Sequence, residues 1–107
     1  MLMTYLTKDQ DQTLRNVKMR MRALENPLRQ RILHLIKSNR NHMNVTDIYM
    51  KLRIEQSTAS QHLSILRRAG FVKAAREGKT IWYSVNDKAI NRLVEVLEYI
   101  PKPPIKR

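Results

Sequence analysis

The residue types best suited to a chemical task occur between Ser57 and Arg68, where small polar side chains recur at helical spacing. One face of the predicted helix carries Ser57, Ser60, Gln61, Ser64 and Arg68. Glutamine can form two hydrogen bonds with N6 and N7 of adenine in the major groove, and serine hydroxyls can bond phosphate oxygens. A solvated helix face is also polar, but it is usually rich in glutamate and lysine. Since no acidic residue occurs from Ser57 to Arg76, the pattern favours contact with duplex DNA.

A second basic segment follows this helix and has the pattern of a β-hairpin. Residues 71–76 and 80–85 are strand candidates, and residues 77–79 form the tip. Lys73, Arg76 and Lys79 carry positive charge along the hairpin. Cations on a hairpin can reach flanking phosphates or the minor groove. The alternative is a charged turn that only keeps the protein in solution.

Five helical patterns position these two segments. They are predicted over residues 11–24, 27–37, 44–52, 56–69 and 86–100. Asn26-Pro27 and Asn44 supply helix starts, and Gly70 supplies a stop because glycine accepts a left-handed backbone. The order α-α-α-α-β-β-α predicts a mainly α-helical fold with a small β-hairpin, in the α+β class. It is the order of a winged helix-turn-helix.

We predict a single domain over residues 1–107, because a chain of this length supports one core and not two. Its predicted parts are an N-terminal arm (1–10), two dimerisation helices (11–24 and 86–100), a helix-turn-helix (44–70), a wing (71–85) and a basic tail (101–107).

The composition favours a polyanionic partner. The chain has 21 Lys plus Arg against 9 Asp plus Glu, a net charge of +12, which suits nucleic acid or an anionic membrane surface. It has no cysteine, which excludes disulfides and thiolate metal sites within it. No apolar run approaches the ~18 residues of a membrane span, and the N-terminus lacks the pattern of a signal peptide. We therefore expect a cytoplasmic protein without membrane insertion.

Two apolar stripes indicate self-association. They consist of Leu14, Val17 and Met21 on the first helix and Ile90, Leu93 and Leu97 on the last. Both stripes step by three and four residues, the spacing of one helix face. A lone domain does not need both for its core, so we predict that they pair across a two-fold axis in a homodimer.

Several spaced positions form one pattern that extends over both segments. It is Ser57-x-x-x-Gln61-His62-Leu63-x-x-Leu66-x-x-Ala69-Gly70-Phe71-Val72, then Arg76-x-Gly78-x-x-x-x-Tyr83-Ser84. The start of the second helix adds Ala23-Leu24-x-x-Pro27-x-Arg29-x-x-Ile32-Leu33. Together these positions resemble the ArsR/SmtB family of bacterial repressors. The resemblance implies a homodimeric winged helix whose interface uses the first and last helices. It also implies repression of operons and, in many members, release of DNA when a metal binds.

The helix, the hairpin and the resemblance together predict a set of DNA-binding residues: Gln56, Ser57, Thr58, Ser60, Gln61, His62, Ser64, Arg68, Lys73, Arg76 and Lys79. For His62 the resemblance implies contact with DNA or phosphate, and packing on the helix surface is the alternative.

The metal ligands of the family are absent from the matching positions. Metal-sensing relatives carry Cys-Val-Cys-Asp-Leu in the third helix, where this chain has Asn44-Val45-Thr46-Asp47-Ile48. Relatives that bind metal on the last helix begin it with Asp-x-His, and this chain has Asp87-Lys88-Ala89. The three histidines, His34, His42 and His62, are scattered. We therefore predict no metal site and no cofactor. The inducing signal stays open between a small molecule, a sequestering protein and the amount of protein made.

The sequence thus predicts a homodimeric regulator of transcription, a repressor that binds a pseudo-palindromic operator in double-stranded DNA. Two alternatives stay open: a winged helix that serves protein–protein interaction, and a binder of structured RNA. We do not expect an enzyme, because there is no cysteine nucleophile, no glycine-rich phosphate loop and no pair of carboxylates set near a histidine.

Overall fold

Helices form most of residues 7–98, and three short strands complete the regular structure of this part of the chain. The computed structural model describes residues 7–98. In chain order the elements are α1 (Lys8–Glu25), α2 (Pro27–Ser38), β1 (Met43–Asn44), α3 (Val45–Leu52), α4 (Gln56–Arg68), β2 (Val72–Glu77), β3 (Thr80–Val85) and α5 (Asp87–Glu98). This architecture confirms the predicted winged helix-turn-helix of the α+β class. It adds one strand, β1, that the predicted order lacked.

The first helix begins earlier than predicted. The Thr7 hydroxyl accepts a hydrogen bond from the Gln10 N–H, and the Gln10 side-chain oxygen accepts one from the Thr7 N–H, each at 3.1 Å. This reciprocal capping box satisfies two backbone donors that would otherwise lack partners. The predicted arm over residues 1–10 is therefore wrong for residues 8–10, because the prediction followed apolar periodicity alone. Residues 1–6 and 99–107, which include the predicted basic tail, lie outside the described residues.

Local capping chemistry sets the starts of α2 and α3 as predicted. The Asn26 side chain accepts from the Arg29 N–H at 3.0 Å, and Pro27 occupies the first turn of α2. The Asn44 side chain accepts from the Asp47 N–H at 2.9 Å. Each amide oxygen satisfies a donor that the first helical turn leaves open. The Asn44 cap fixes where the helix-turn-helix begins.

The turn between α3 and α4 depends on a left-handed residue. Arg53 follows α3 with φ 54°, a conformation in which a non-glycine residue is strained. The Ile54 N–H then donates to the Tyr49 carbonyl at 3.1 Å, which closes the end of α3. At the other end of α4, Gly70 has φ 84°, as predicted. These two positions bound the helix that was predicted to meet DNA.

A three-stranded antiparallel sheet of order β1-β3-β2 carries the wing. β1 pairs Met43 with Tyr83 and Asn44 with Trp82. Just before β1, Asn41 extends this edge with its side chain. The Val85 N–H donates to Asn41 Oδ1 at 2.7 Å, and Asn41 Nδ2 donates to the Val85 carbonyl at 3.3 Å. These two hydrogen bonds join the end of the central strand β3 to the segment that precedes β1.

The β2–β3 hairpin has a loop of two residues. Pairing runs from Val72–Val85 to Glu77–Thr80, which leaves Gly78 and Lys79 at the tip. Gly78 has φ 63°, and two-residue hairpin loops require a positive φ that glycine adopts without strain. The tip is therefore short and well defined, and it presents Lys79 to solvent.

The core lies where α2, α3, α4 and the sheet meet. Its largest fully buried side chains are Phe71, Ile32, Ile36, Met43, Ile48, Leu63 and Leu66. α1 buries only Ala23, and α5 buries only Leu93. Leu93 is 4% exposed and therefore belongs to the core of its own chain. Its assignment to a free dimerisation surface is wrong, because α5 turns this side chain inward.

Candidate nucleic-acid interface

α4 presents one apolar face to the core and one polar face to solvent. Ala59, Leu63 and Leu66 are at most 1% exposed. The opposite face carries six of the predicted residues, all exposed: Gln56, Ser57, Ser60, Gln61, Ser64 and Arg68. No acidic residue lies within α4. The helix therefore offers short hydrogen-bonding groups and positive charge in the direction away from the core.

The other two predicted residues of this helix, Thr58 and His62, are half-buried. His62 Nδ1 lies 3.1 Å from Nη1 of Arg29. Because a guanidinium can only donate, Nδ1 acts as the acceptor and the ring is neutral. Burial, and then the charge of Arg29, lower the pKa of His62. This geometry fits the packing alternative for His62 better than contact with DNA.

Arg29 joins three parts of the molecule. Its Nε donates to the Ala23 carbonyl at 2.8 Å, and its Nη2 donates to the Arg22 carbonyl at 3.0 Å. These carbonyls belong to the last turn of α1, where the helix leaves acceptors open. With the contact to His62, the Arg29 side chain forms a clamp between the end of α1 and α4. The sequence offered no local signal for it, since Arg29 and His62 are 33 residues apart.

The wing exposes all three predicted cations but does not align them. Lys73, Arg76 and Lys79 are exposed. Lys73 and Arg76 lie on opposite faces of the sheet, because side chains alternate along a strand and these residues are three apart. Lys79 stands at the tip between β2 and β3. A single DNA backbone at the tip would therefore meet Lys79 together with only one of the other two.

A groove of about 290 Å³ separates the wing tip from the start of α3. Lys79 and Thr80 line it on the wing side, and Asn44 and Thr46 line it on the helix side. Hydroxyl and ammonium groups of this kind suit phosphate oxygens. Sequence reasoning missed Thr46 and Thr80, because only the pairing of β1 with β3 brings these distant segments together.

The positions that hold metal in relatives have other tasks in this chain. The Asn44 side chain caps α3. The Asp87 carboxylate accepts from the Lys37 ammonium at 2.8 Å, which joins the start of α5 to α2. His42 stacks on Trp82 with ring centroids 4.1 Å apart, and His34 is exposed. Within residues 7–98, no group of three His, Cys, Asp or Glu side chains could hold a metal ion.

The two terminal helices pack against each other and leave apolar side chains partly exposed. The half-buried members of the predicted dimer stripes are Leu14, Val17, Met21, Ile90 and Leu97. Val94, next to them on α5, is 44% exposed. The partly exposed apolar surface on α5 is thus formed by Ile90, Val94 and Leu97, with Leu93 beneath it.

A winged helix-turn-helix with a polar, acid-free recognition helix defines a DNA-binding regulator of transcription. Residues 26–74 match the family model described as bacterial regulatory protein, arsR family. The uncharacterized HTH-type transcriptional regulator YbzH of Bacillus subtilis is 40% identical, and the match covers 72% of this chain and 90% of that protein. The transcriptional activator HlyU of Vibrio cholerae is 31% identical, with 72% of this chain and 69% of HlyU covered.

The transcriptional repressor PagR of Bacillus anthracis is 31% identical, with 75% of this chain and 79% of PagR covered. Its crystal structure superposes with a TM-score of 0.64 at 29% identity and covers 80% of this chain and 97% of that one. The chain belongs to the ArsR family of bacterial regulatory proteins. These relatives are regulators of transcription. This confirms the prediction that the chain is not an enzyme. Within residues 7–98, no helix has the length and apolar character needed to cross a membrane.

Proposed function

We propose that the chain represses transcription by binding a pseudo-palindromic duplex as a homodimer, with α4 in the major groove and the wing on the flanking backbone. The observation that carries this proposal is the exposed face of α4, which has no acidic side chain and lies opposite a fully buried apolar face. The major groove, about 12 Å wide, admits an α-helix. Short serine side chains allow that helix to approach the base edges closely.

We assign different tasks to the two parts of the interface. Gln61, in the middle of the exposed face, reads a base through its amide. Lys79 holds a phosphate together with Thr80 on the wing side of the groove and Thr46 across it. Base contacts specify the sequence, whereas phosphate contacts position the protein on any duplex.

Two features of the terminal helices support the homodimer. α1 is 18 residues long and buries only Ala23, while Val17, Met21 and Leu24 are partly buried against the core. α5 leaves Val94 exposed beside the half-buried Ile90 and Leu97. Pairing these surfaces around a two-fold axis would bury them and would place two copies of α4 about 34–36 Å apart, one turn of DNA. Val94 takes the place of Leu93 in this interface.

The regulator acts where the chromosome is, so we propose a cytoplasmic location. Its DNA binding would respond to a small molecule or a protein effector, since the positions that hold metal in relatives are occupied here by a helix cap and an ion pair.

Selection of bound duplexes from a random pool tests the proposal. We expect related half-sites in two-fold arrangement, and an affinity that falls with salt at a slope of about −0.9 for each of roughly 6–10 neutralised phosphates. Absence of salt-dependent binding to any duplex would contradict the proposal and favour a protein-interaction module. Preferential binding to structured RNA in a competition assay would favour the RNA alternative. A reporter that carries the selected site should lose expression, and a gain would indicate an activator.

Substitution at Gln61 tests the division of tasks. Gln61→Ala should cost about 1–3 kcal/mol on the selected duplex and almost nothing on a mismatched one, because it removes a base contact. Lys79→Ala should weaken both duplexes alike and reduce the salt slope by about one contact. Titrations of the two variants on matched and mismatched duplexes decide the point. Identical behaviour of the variants would refute the assignment.

Substitution on α5 tests the homodimer. Val94→Asp should give monomers in sedimentation at micromolar concentration, because the carboxylate would be buried without a partner. Val96→Asp is the matched control, since Val96 is 42% exposed against 44% for Val94 and lies about 200° further around the helix. The control should still dimerise. A wild-type protein that sediments only as a monomer would contradict the dimer.

A further inference from the structure

A cleft of about 460 Å³ opens between α1, the start of α2 and the end of α4. Its cationic lining consists of Arg15, Lys18, Arg22, Arg29 and Arg68. No acidic side chain of the described residues lines it. Among these cations only Arg68 belongs to the predicted DNA-binding set, so the charge of the cleft needs a separate explanation.

The floor of the cleft is apolar. It is formed by Met19, Ala23 and Ile65, and Met19 is 38% exposed. The α1 positions 15, 18, 19 and 22 follow the spacing of a single helix face, and positions 65 and 68 do the same on α4. Two helix faces therefore meet as an apolar trough with basic edges. A phosphate alone needs no apolar floor, and the volume falls within the roughly 300–1,000 Å³ of small-molecule sites.

Not all five cations are equally available. Arg29 donates to the carbonyls at the end of α1 and contacts His62. Arg15 pairs with Asp11 at 3.0 Å. Lys18, Arg22 and Arg68 form no ion pair with any of the described residues. Lys18 and Arg22 also repel each other, since like charges four residues apart destabilise a helix. An anion in the cleft would relieve this repulsion.

We propose that the cleft binds a small organic acid with an apolar body, of the chemical class of a medium-chain carboxylate. Its carboxylate lies between Lys18, Arg22 and Arg68, and its apolar part lies on the floor of the cleft. Arg68 is also on the exposed face of α4, so the bound acid neutralises a charge that DNA would otherwise meet. This consequence for DNA rests on the proposed function, whereas the binding site does not.

Calorimetric titration of the full chain without DNA tests the site. The probes are octanoate, octan-1-ol, which lacks the charge, and inorganic phosphate, which lacks the apolar body. We expect saturable binding of octanoate at least tenfold tighter than that of either control. Phosphate that binds as tightly as octanoate would overturn the proposal in favour of a simple anion patch. Octanoate that does not saturate would also overturn it.

A pair of methionine variants locates the site. Met19→Glu places a carboxylate on the apolar floor and should weaken octanoate binding at least tenfold. Met50→Glu is the matched control, because Met50 is 64% exposed on α3 and does not line the cleft. It should bind octanoate like the wild type. Since Met19 and Met50 are both exposed, both variants should keep the wild-type circular dichroism spectrum. Unchanged octanoate affinity in Met19→Glu would overturn the assignment.

Duplex titrations separate this proposal from the proposed function. Octanoate should weaken binding of the selected duplex to the wild type and to Met50→Glu, but not to Met19→Glu. A wild type that binds no duplex would contradict the proposed function, and the titration without DNA would still decide the site.

Discussion

α1 and α4 flank the same cleft, but different interactions hold them. α4 is anchored along its length by Ala59, Leu63 and Leu66, all of which are buried. α1 is longer and buries only Ala23. Three more of its side chains, Val17, Met21 and Leu24, pack against the core but are only partly buried. Hydrogen bonds from the Arg29 and Gln30 side chains hold the end of the helix. Fully buried side chains therefore determine the position of α4, whereas α1 is held by partly buried side chains, by polar contacts at its end and by the proposed partner.

This difference explains how a cleft ligand could influence DNA binding. Segments with few buried apolar contacts are those that open or shift at the lowest cost in free energy. A molecule bound between the two helices would therefore move α1 more readily than α4. In the proposed dimer, α1 belongs to the interface that sets the spacing of the two recognition helices.

The largest expected effect comes from comparing a buried leucine of α4 with a half-buried leucine of α1. Leu63→Ala should lower the free energy of unfolding by about 2–5 kcal/mol, because it leaves a cavity at a side chain that is 1% exposed. Leu14→Ala, at a half-buried site on α1, should cost under about 1 kcal/mol in dilute protein. Urea unfolding at low micromolar concentration measures both. Equal losses would show that α1 is as firmly anchored as α4.

The next effect in size concerns the Arg29 clamp. Arg29→Ala should cost about 1–3 kcal/mol, because two carbonyls at the end of α1 lose a charged donor. Arg31→Ala, an exposed site on the same helix, is the control and should stay within about 0.5 kcal/mol of the wild type. Arg29→Lys should not restore stability, since one ammonium cannot reproduce the planar fork of donors. A full rescue by lysine would show that only the charge matters.

The smallest effect is a pH dependence from His62. Its folded-state pKa lies below the ordinary value of 6.5, first because of burial and then because of Arg29. The unfolded chain therefore takes up the proton at higher pH, so this contribution to stability is complete above about pH 6.5 and is lost as the pH falls below it. His62→Gln keeps an acceptor for Arg29 but cannot titrate. Its Tm should fall less than that of the wild type between about pH 7 and pH 5.5.

His34→Gln serves as the control for this measurement, because His34 is exposed on α2. It should keep the pH dependence of the wild type. If His62→Gln does so too, protonation of His62 does not weaken the contact between α2 and α4.

Local signals made the recognition helix predictable. The apolar spacing of Ala59, Leu63 and Leu66, the cap at Asn44 and the stop at Gly70 each depend on residues within one or two helical turns. Such patterns are visible in a sequence because neighbouring residues satisfy each other. The polar face of α4 follows directly, since it is the side opposite the apolar spacing.

The features that sequence reasoning missed depend on distant residues. β1 has two residues, and its pairing partner Tyr83 is 40 positions from Met43. No periodicity can indicate so short a strand. The contact between Arg29 and His62 and the cleft between α1 and α4 likewise exist only after the chain has folded. Leu93 is a further feature that the sequence alone did not determine. Its spacing placed it in an apolar stripe, but only the packing of the folded chain determines which part of that stripe is buried.

The cations on β2 also affect how the edge of the sheet interacts with other protein chains. β2 is an edge strand, because the sheet order is β1-β3-β2. An edge strand offers backbone N–H and C=O groups to any other chain that can add a strand, which is a route to aggregation. β2 carries Lys73, Arg76 and Glu77 within six residues, and charged side chains on an edge oppose such pairing. Replacing the two cations would therefore reduce the colloidal stability of the protein as well as its affinity for DNA.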